Sequence, residues 1–160
     1  MDHKSATGWI HNPVIAEKKY NNKIRLTLDT RPMAKAVRTA KFPIPTPTEL
    51  RNKLRGSDRF SALDMTDSFF QFEMDDESSR HYTFWTTKGL FKFNTLAQGV
   101  SSASAETHDR IRRILEGLEG VIQIKDDMIV HGEGEKHDKN LQKVFERLKE
   151  HNVTLNRLKC

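Results

Sequence analysis

Cysteine, long apolar runs and internal repeats are all scarce or absent in this sequence of 160 residues. The single cysteine, Cys160, cannot form an internal disulfide, which excludes a secreted module built on disulfides and favours a reducing compartment. No apolar run approaches membrane-spanning length, and the N-terminus lacks a signal-peptide pattern. We therefore expect an intracellular protein with no membrane association, built as one domain around a hydrophobic core.

Positive charge is in modest excess over negative charge. The 27 basic and 22 acidic side chains give a formal net charge of +5, which favours an anionic partner such as nucleic acid. A chain with cations early and carboxylates later can hold a polyanion at one end and metal ions at the other. The basic residues of the first third include Lys18, Lys19, Lys23, Arg25, Arg31, Lys35, Arg38 and Lys41.

The stretch Val121 to Val130, VIQIKDDMIV, places two adjacent carboxylates between two apolar runs. This pattern predicts a tight β-hairpin with Asp126 and Asp127 at its bend. Two like charges about 4 Å apart repel by roughly 4 kcal/mol at the effective dielectric of a protein surface, and a divalent cation relieves that repulsion. An ordinary turn also explains the stretch, because Asp is a common turn residue.

A second strand pattern lies near the basic region. Residues 24–29 alternate apolar and polar side chains, as in a half-buried strand that presents Arg25 on its polar face. Together with Lys18 and Lys19, this strand can grip a phosphate chain. Solvated surface charge is the alternative for all three cations.

Three further segments between residues 9 and 80 give weaker signals. The apolar residues around Trp9 predict an edge strand, and the prolines of residues 41–50 predict an extended connector before a short helix capped by Thr48. Asp64 stands at the end of a predicted strand, where it either needs a partner or caps a helix. The acids and polar residues of 75–80 predict a charged loop.

From residue 59 onward the predicted order is strand, short helix, hairpin, helix, hairpin, helix. Antiparallel strands with helices on one face form an α+β layer, in which the end of the Asp64 strand can lie beside the acidic bend. Three carboxylates would then converge. Such a cluster can hold two divalent ions about 3.5 to 4 Å apart, which is the arrangement that nucleotidyl transfer requires.

From about Trp9 to Cys160 the sequence resembles the fingers and palm of reverse transcriptases, most closely those of gypsy-type long-terminal-repeat retrotransposons. The motifs that carry the resemblance are IRLTLDTR, KFPIPT, FSALDMTDSFFQ, TTKGLFKFNTLAQGVSSAS, IKDDMIVHG and NLQKVFERLKEHNVTLNRLKC. It implies one reverse transcriptase-like domain over 1–160, with a ferredoxin-like palm whose antiparallel sheet carries helices on one face. Residues 9–58 would be mainly fingers and 59–160 mainly palm, with a fingers hairpin near 81–97 and no thumb.

The resemblance implies an RNA-directed DNA polymerase that adds deoxynucleotides to a primer 3′-hydroxyl with two Mg2+ or Mn2+ ions. The catalytic, metal-binding positions match Asp64, Asp126 and Asp127. The implied partners are an RNA or DNA template-primer, deoxynucleoside triphosphates, and either a second copy or the remaining domains of a polyprotein, in a cytoplasmic particle or the nucleus. The implied nucleotide-binding residues are Lys18, Lys19, Arg25, Phe69, Gln98 and Gly99, with Phe69 as a steric gate against the ribose 2′-hydroxyl.

Several positions depart from the family pattern. Ile124 stands where the acidic box has Tyr, and Lys125 puts a cation beside the metal-binding pair, where it can compete with Mg2+. Ala34 replaces an Asn, Glu106 to His108 replace a Thr-Phe-Gln type of segment, and the sequence stops before the primer grip, thumb, connection and ribonuclease H regions. These departures keep a second interpretation open: a catalytically weak or inactive nucleic-acid-binding or interaction module derived from a retrotransposon polymerase.

Overall fold

The computed structural model describes residues 8–17, 24–38, 44–100 and 102–160. The chain divides into two compact units, each built from two segments. The first unit comprises Met1–Ala40 and Phe69–Ser104, and the second comprises Lys41–Ser68 and Ala105–Cys160. Among the described residues, no helix is both long and apolar enough to span a bilayer.

The first unit contains a four-stranded sheet in the order β2-β1-β4-β5. Its strands are β1 (Ile10–Glu17), β2 (Ile24–Asp29), β4 (Thr83–Thr86) and β5 (Gly89–Lys92). Strand β1 pairs antiparallel with β2 and parallel with β4, so the prediction of an edge strand there was wrong. The aromatic hairpin β4-β5 is confirmed, with Thr86 paired to Gly89 across its turn.

Alternating side chains of β2 build the core of the first unit. Leu28 is 3% exposed and lies in a cluster that Leu26 also packs against, whereas Arg25 on the alternate face is exposed. The predicted strand is therefore confirmed, with Leu26 and Leu28 on the core side, but Ile24, the third apolar residue of that face, is 68% exposed. The buried members of the cluster are Leu28, Phe84, Ala97, Val100 and Ala103.

The second unit contains a three-stranded antiparallel sheet in the order β3-β7-β6. Strand β3 spans Arg59–Asp64, β6 spans Val121–Ile124 and β7 spans Asp127–Gly132. Helices α3 (Ala103–Ile114) and α4 (Glu135–Glu150) stand where the predicted order placed its two later helices. The part of α3 from Ala105 onward belongs to this unit. The buried apolar residues with no more than 2% exposure are Ile111, Met128, Val130, Val144 and Leu148.

Two local predictions were wrong because capping overrode the simpler pattern. Helix α1 (Pro47–Leu54) is capped by Thr46, not Thr48, because Thr46 and Glu49 form a reciprocal capping box with Pro47 at the first helical position. The expected charged loop near residues 75–80 is a short helix, α2 (Asp76–Arg80), whose N-cap Asp75 accepts from the backbone of Ser78.

Candidate active site

Strand register brings the three predicted aspartates together in the second unit. Asp64, the last residue of β3, lies directly opposite Asp127, the first residue of β7. Directly opposed residues of antiparallel strands have Cβ atoms about 5 Å apart on the same face of the sheet. The predicted hairpin is confirmed, but its turn is Lys125-Asp126. The placement of Asp127 at the bend was wrong, because Asp127 begins β7 and pairs with Ile124 of β6. Asp64 thus ends a strand and caps no helix.

The turn imposes an uncommon backbone on Lys125. Its φ is +55°, in the left-handed region that glycine adopts most readily. Lys125 is exposed, while Asp126 beside it is only partly exposed. The tight turn therefore carries the carboxylate inward and the cation outward.

The surroundings of Asp126 disfavour its ionised carboxylate. Burial raises the pKa of its carboxyl group above the ordinary value of 3.8, and the negative charges of Asp127 and Asp64 raise it further. A hydrogen bond from Ser68 Oγ to Asp126 Oδ2, 3.4 Å long, and the Lys125 charge act in the opposite direction. The net direction is upward, so the ionised form of Asp126 is under-compensated by its surroundings.

Asp64 is held by the C-terminal segment of the second unit. Lys159 Nζ donates to Asp64 Oδ2 over 3.1 Å, and the Asn156 amide donates to the Asp64 carbonyl over 2.8 Å. A bridge between Met65 and Leu155 continues this contact. The Lys159 side chain is 63% exposed and that of Asp64 is 25% exposed, so this ion pair is partly solvated. One oxygen of Asp64 therefore already faces a cation.

The other oxygens of the site test whether a metal fits here. Asp64 Oδ1 and Asp126 Oδ1 are buried and have no hydrogen-bond partner. Unpartnered carboxylate oxygens are the donors that Mg2+ and Mn2+ prefer, and a buried one is costly unless a ligand meets it. In the described part of the chain, however, no three His, Cys, Asp or Glu side chains are grouped so as to hold a metal ion. The chemistry of the acids fits a divalent cation, but the three-donor arrangement is not formed.

Gln98 and Gly99 lie in the first unit, against β2. The Leu28 amide donates to the Gln98 carbonyl over 3.0 Å, and Thr30 Oγ1 donates to the Gly99 carbonyl over 2.8 Å. Gly99 has φ +93°, and a Cβ at this position would come within 2.3 Å of the Leu28 carbonyl oxygen. No other residue fits, because both the φ and the close approach of backbones require glycine.

An open cleft of about 480 Å3 lies beside this contact. The Arg31 guanidinium forms a two-pronged ion pair with Asp29 at the cleft wall, with Nε to Oδ1 at 2.8 Å and Nη2 to Oδ2 at 2.6 Å. This pair lowers the pKa of Asp29 to about 2. The cleft is lined by Val14, Leu28, Asp29, Thr30, Arg31, Ala34, Gly99 and Val100.

The remaining predicted nucleotide-binding residues are placed unevenly. Arg25 is exposed on β2, paired with Ala16 of β1. Phe69 begins the first unit's second segment, within a 3-10 helix (Ser68–Gln71), and is partly buried against that unit's core. Lys18 and Lys19 lie outside the described residues. The structure thus gathers the three aspartates in one unit, and Arg25, Phe69, Gln98 and Gly99 belong to the other.

Two contacts of the aspartates escaped the sequence analysis. Ser68 is 8% exposed and reaches Asp126, which lies 58 positions later in the chain. Lys159 reaches Asp64 across 95 positions. Long-range contacts of this kind leave no periodic signal in a single sequence, although Lys159 lies inside the last of the motifs quoted above.

Comparison with known proteins gives consistent results. A sequence profile described as reverse transcriptase (RNA-dependent DNA polymerase) matches residues 15–160. An uncharacterized Caenorhabditis elegans protein is 30% identical over 155 residues, covering 95% of this chain and 12% of its own length. The retrovirus-related Pol polyprotein from transposon 412 of Drosophila melanogaster is 33% identical over 141 residues, covering 86% of this chain and 11% of its own length.

A solved structure shares the fold. The foamy viral protease-reverse transcriptase in complex with double-stranded DNA superposes with a TM-score of 0.81 at 21% identity, covering 92% of this chain and 26% of that one. The mixed α+β architecture, with largely antiparallel sheets, is that of a fingers-palm region. This chain spans only about an eighth of the length of the curated relatives.

Proposed function

The chain belongs to the reverse transcriptase (RNA-dependent DNA polymerase) family, and from that premise we propose that it supplies the nucleotidyl-transfer centre of an RNA-directed DNA polymerase. The observation that carries the proposal is the register of β3, β6 and β7, which places Asp64 opposite Asp127 and next to the Asp126 turn. The substrates would be deoxynucleoside triphosphates and the 3′-hydroxyl of a primer paired with an RNA or DNA template. Membership of the gypsy-type subgroup stays a prediction.

Asp64, Asp126 and Asp127 would hold two Mg2+ or Mn2+ ions. When bound, such ions activate an attacking hydroxyl and neutralise the charge that develops on a triphosphate leaving group. The chain's own contribution is positioning: Ser68 donates to one oxygen of Asp126, and the buried Oδ1 atoms of Asp64 and Asp126 have no hydrogen-bond partner that a metal would have to displace. Enzymes of this kind gain most of their rate from positioning and from neutralising charge.

The first unit would bind the nucleotide and the template. The Arg25 side chain is exposed on β2, where its guanidinium could donate two hydrogen bonds to one phosphate group. The Gly99 backbone lines the cleft, where it could contact a nucleotide. Gln98 is the residue before it in the chain. The protein would bind nucleic acid through its cations with little sequence preference and with strong dependence on salt.

Primer extension tests the proposal most directly. The protein is incubated with primed RNA and primed DNA templates, deoxynucleotides, and Mg2+ or Mn2+. We expect extension to be weak and to be abolished by Asp64→Asn or Asp126→Asn, but not by Glu146→Gln, an exposed acid on α4. Extension that persists in the two Asp variants would remove these residues from the catalytic role.

The steric gate is tested in the same assay. Because the Phe69 ring is only partly buried against the first unit's core, part of it remains available to a ligand. Phe69→Val should admit ribonucleotides and lower the preference for deoxynucleotides, measured as the ratio of kcat/KM values. An unchanged ratio in a variant that still extends primers would overturn the gate assignment.

A second candidate function is a nucleic-acid-binding module without polymerase activity. The ion pair between Lys159 and Asp64 favours it, since a cation of the protein already occupies an oxygen that a metal would need. The distinguishing result is salt-dependent binding of primer-template, measured by fluorescence anisotropy, together with no extension in either metal at saturating protein.

A further inference from the structure

The side chain of Gln123 joins helix α3 to the turn that carries Asp126. Its Nε2 donates to the Lys125 carbonyl over 2.9 Å and to the His108 carbonyl over 3.0 Å. Gln123 lies on β6, two residues before Lys125, and all of these residues belong to the second unit. One amide nitrogen therefore spans from a helix backbone to the turn beside the acidic pair.

The two partners fix the orientation of the amide. Both are carbonyl oxygens, which only accept hydrogen bonds, and the NH2 group of glutamine has two hydrogens to donate. The reversed orientation would bring Oε1 against both carbonyls. In the observed orientation Gln123 Oε1 is buried without a hydrogen-bond partner, which is unfavourable. The two bonds donated by Nε2 offset this cost.

The turn at which this amide acts needs support. Lys125 adopts φ +55°, a conformation that side-chain-bearing residues rarely take. Sparsely populated backbone conformations persist where the surrounding structure holds them. The carbonyl that Gln123 binds belongs to this same residue, and the next residue is Asp126.

We propose that Gln123 is a positioning residue that locks the Lys125-Asp126 turn against α3 and thereby holds the Asp126 carboxylate for a divalent cation. This inference rests on the proposed function, because it assigns Gln123 a role toward the same metal-binding acids. Residues that orient metal ligands typically change metal affinity by ten- to a hundredfold when removed. Gln123 acts through the backbone, in contrast to Ser68, which contacts the Asp126 carboxylate itself.

Mn2+ binding measured by calorimetry, with Mn2+ alone as the ligand, tests the proposal. Gln123→Met keeps the length of the side chain and removes both donated bonds. We expect its Kd for Mn2+ to rise at least about tenfold, and hydrogen exchange of the peptide covering residues 121–130 to accelerate. Gln142→Met is the matched control, since Gln142 is an exposed residue of α4 in the same unit and its side-chain amide donates to Glu146. Its Kd should equal that of the unmodified protein.

A second variant guards against a folding defect. Gln123→Asn retains the amide but is one methylene too short to span both carbonyls, and we expect it to weaken Mn2+ binding in the same direction. If Gln123→Met and Gln123→Asn fold, as judged by circular dichroism, and bind Mn2+ within twofold of the unmodified protein, the positioning role is overturned. If the unmodified protein and Gln142→Met bind no Mn2+ at all, the metal-binding function itself fails, and this inference fails with it.

Discussion

Asp29 in the first unit and Asp126 in the second both lie at a boundary of a β-strand, yet their carboxylates meet opposite surroundings. Asp29 receives two hydrogen bonds from the Arg31 guanidinium and one from the Arg31 amide, and its pKa falls to about 2. Asp126 receives one long bond from Ser68, keeps one oxygen unpartnered, and has a raised pKa. The protein satisfies the first charge itself and leaves the second unsatisfied.

This difference separates a structural carboxylate from one that is available to a ligand. A metal ion adds little stabilisation to a carboxylate that is already paired with an arginine. It stabilises much more strongly a carboxylate whose ionised form is disfavoured by burial and by two like charges. Perturbed acids that cluster are therefore candidates for a functional site, and a salt-bridged acid is not. The four predictions below test this comparison, from the largest expected effect to the smallest.

Replacing each acid by its amide should have opposite effects on stability and on the response to metal. Metal at a hundredfold excess over its Kd stabilises a native state by about 2.7 kcal/mol, and Asp126→Asn should lose that metal-dependent stabilisation. Without metal it should melt no lower than the unmodified protein, because a disfavoured charge is gone. Asp29→Asn should do the reverse, melting lower while keeping the full metal response. Thermal melts with and without Mg2+ decide this, and equal metal responses in both variants would contradict it.

Acidification should remove the metal response before it removes the Asp29 ion pair. The pKa of Asp126 in the folded protein is raised above its ordinary value of 3.8. Its ionisation therefore lowers stability as the pH rises from 3.8 through the folded-state pKa, and below that pKa protons compete with metal for the carboxylate. The pKa of Asp29 is lowered to about 2, so its ion pair stabilises the folded protein at any pH above the ordinary value of 3.8. That stabilisation is lost only as the pH falls toward about 2. Melts in Mg2+ across several pH values should show the metal shift shrinking first. Simultaneous loss would contradict the assignment.

Removing the cation from Asp64 should make the second unit more receptive to metal. Lys159→Met frees Asp64 Oδ2, and we expect Mn2+ to bind several-fold tighter. A partly solvated ion pair contributes about 0.2 to 1 kcal/mol, so stability without metal should fall only slightly. Lys139→Met, which removes an exposed α4 cation from a 4.0 Å pair with Glu135, is the control. Equal Mn2+ affinity in both variants would show that Lys159 does not compete.

The smallest effect concerns the backbone of Lys125. Lys125→Gly and Lys125→Met remove the same charge, but only glycine also removes the penalty of the left-handed φ. That penalty is roughly 1 to 2 kcal/mol and is partly offset by the flexibility of glycine in the unfolded chain. We expect the Gly variant to be more stable than the Met variant by up to about 1 kcal/mol in urea unfolding. A less stable Gly variant would mean that the turn is not strained.

The sequence was informative where structure repeats locally. The two hairpins show strand-forming side chains around a turn, β2 shows alternation and the two long helices show a period of 3.6 residues, all of which a single sequence displays. Helix α1 was misassigned at its first residues because Thr46 and Thr48 are both acceptable caps, and only Glu49 in its capping box distinguishes them. Pairing β1 with β4, like binding Lys159 to Asp64, depends on distant residues, so pattern alone could not predict it.

The attachment of the C-terminal segment to Asp64 has a consequence for the order of synthesis. The Asp64 strand leaves the ribosome early, but its end is completed by Thr154 bonding the Thr66 amide and by Asn156 bonding the Asp64 carbonyl. Until those residues emerge, both backbone groups lack these partners, and the carboxylate lacks its ion pair until Lys159 emerges. A nascent chain that ends before Asn156 therefore carries Asp64 without its backbone partner, and one that ends before Lys159 carries it without its ion pair.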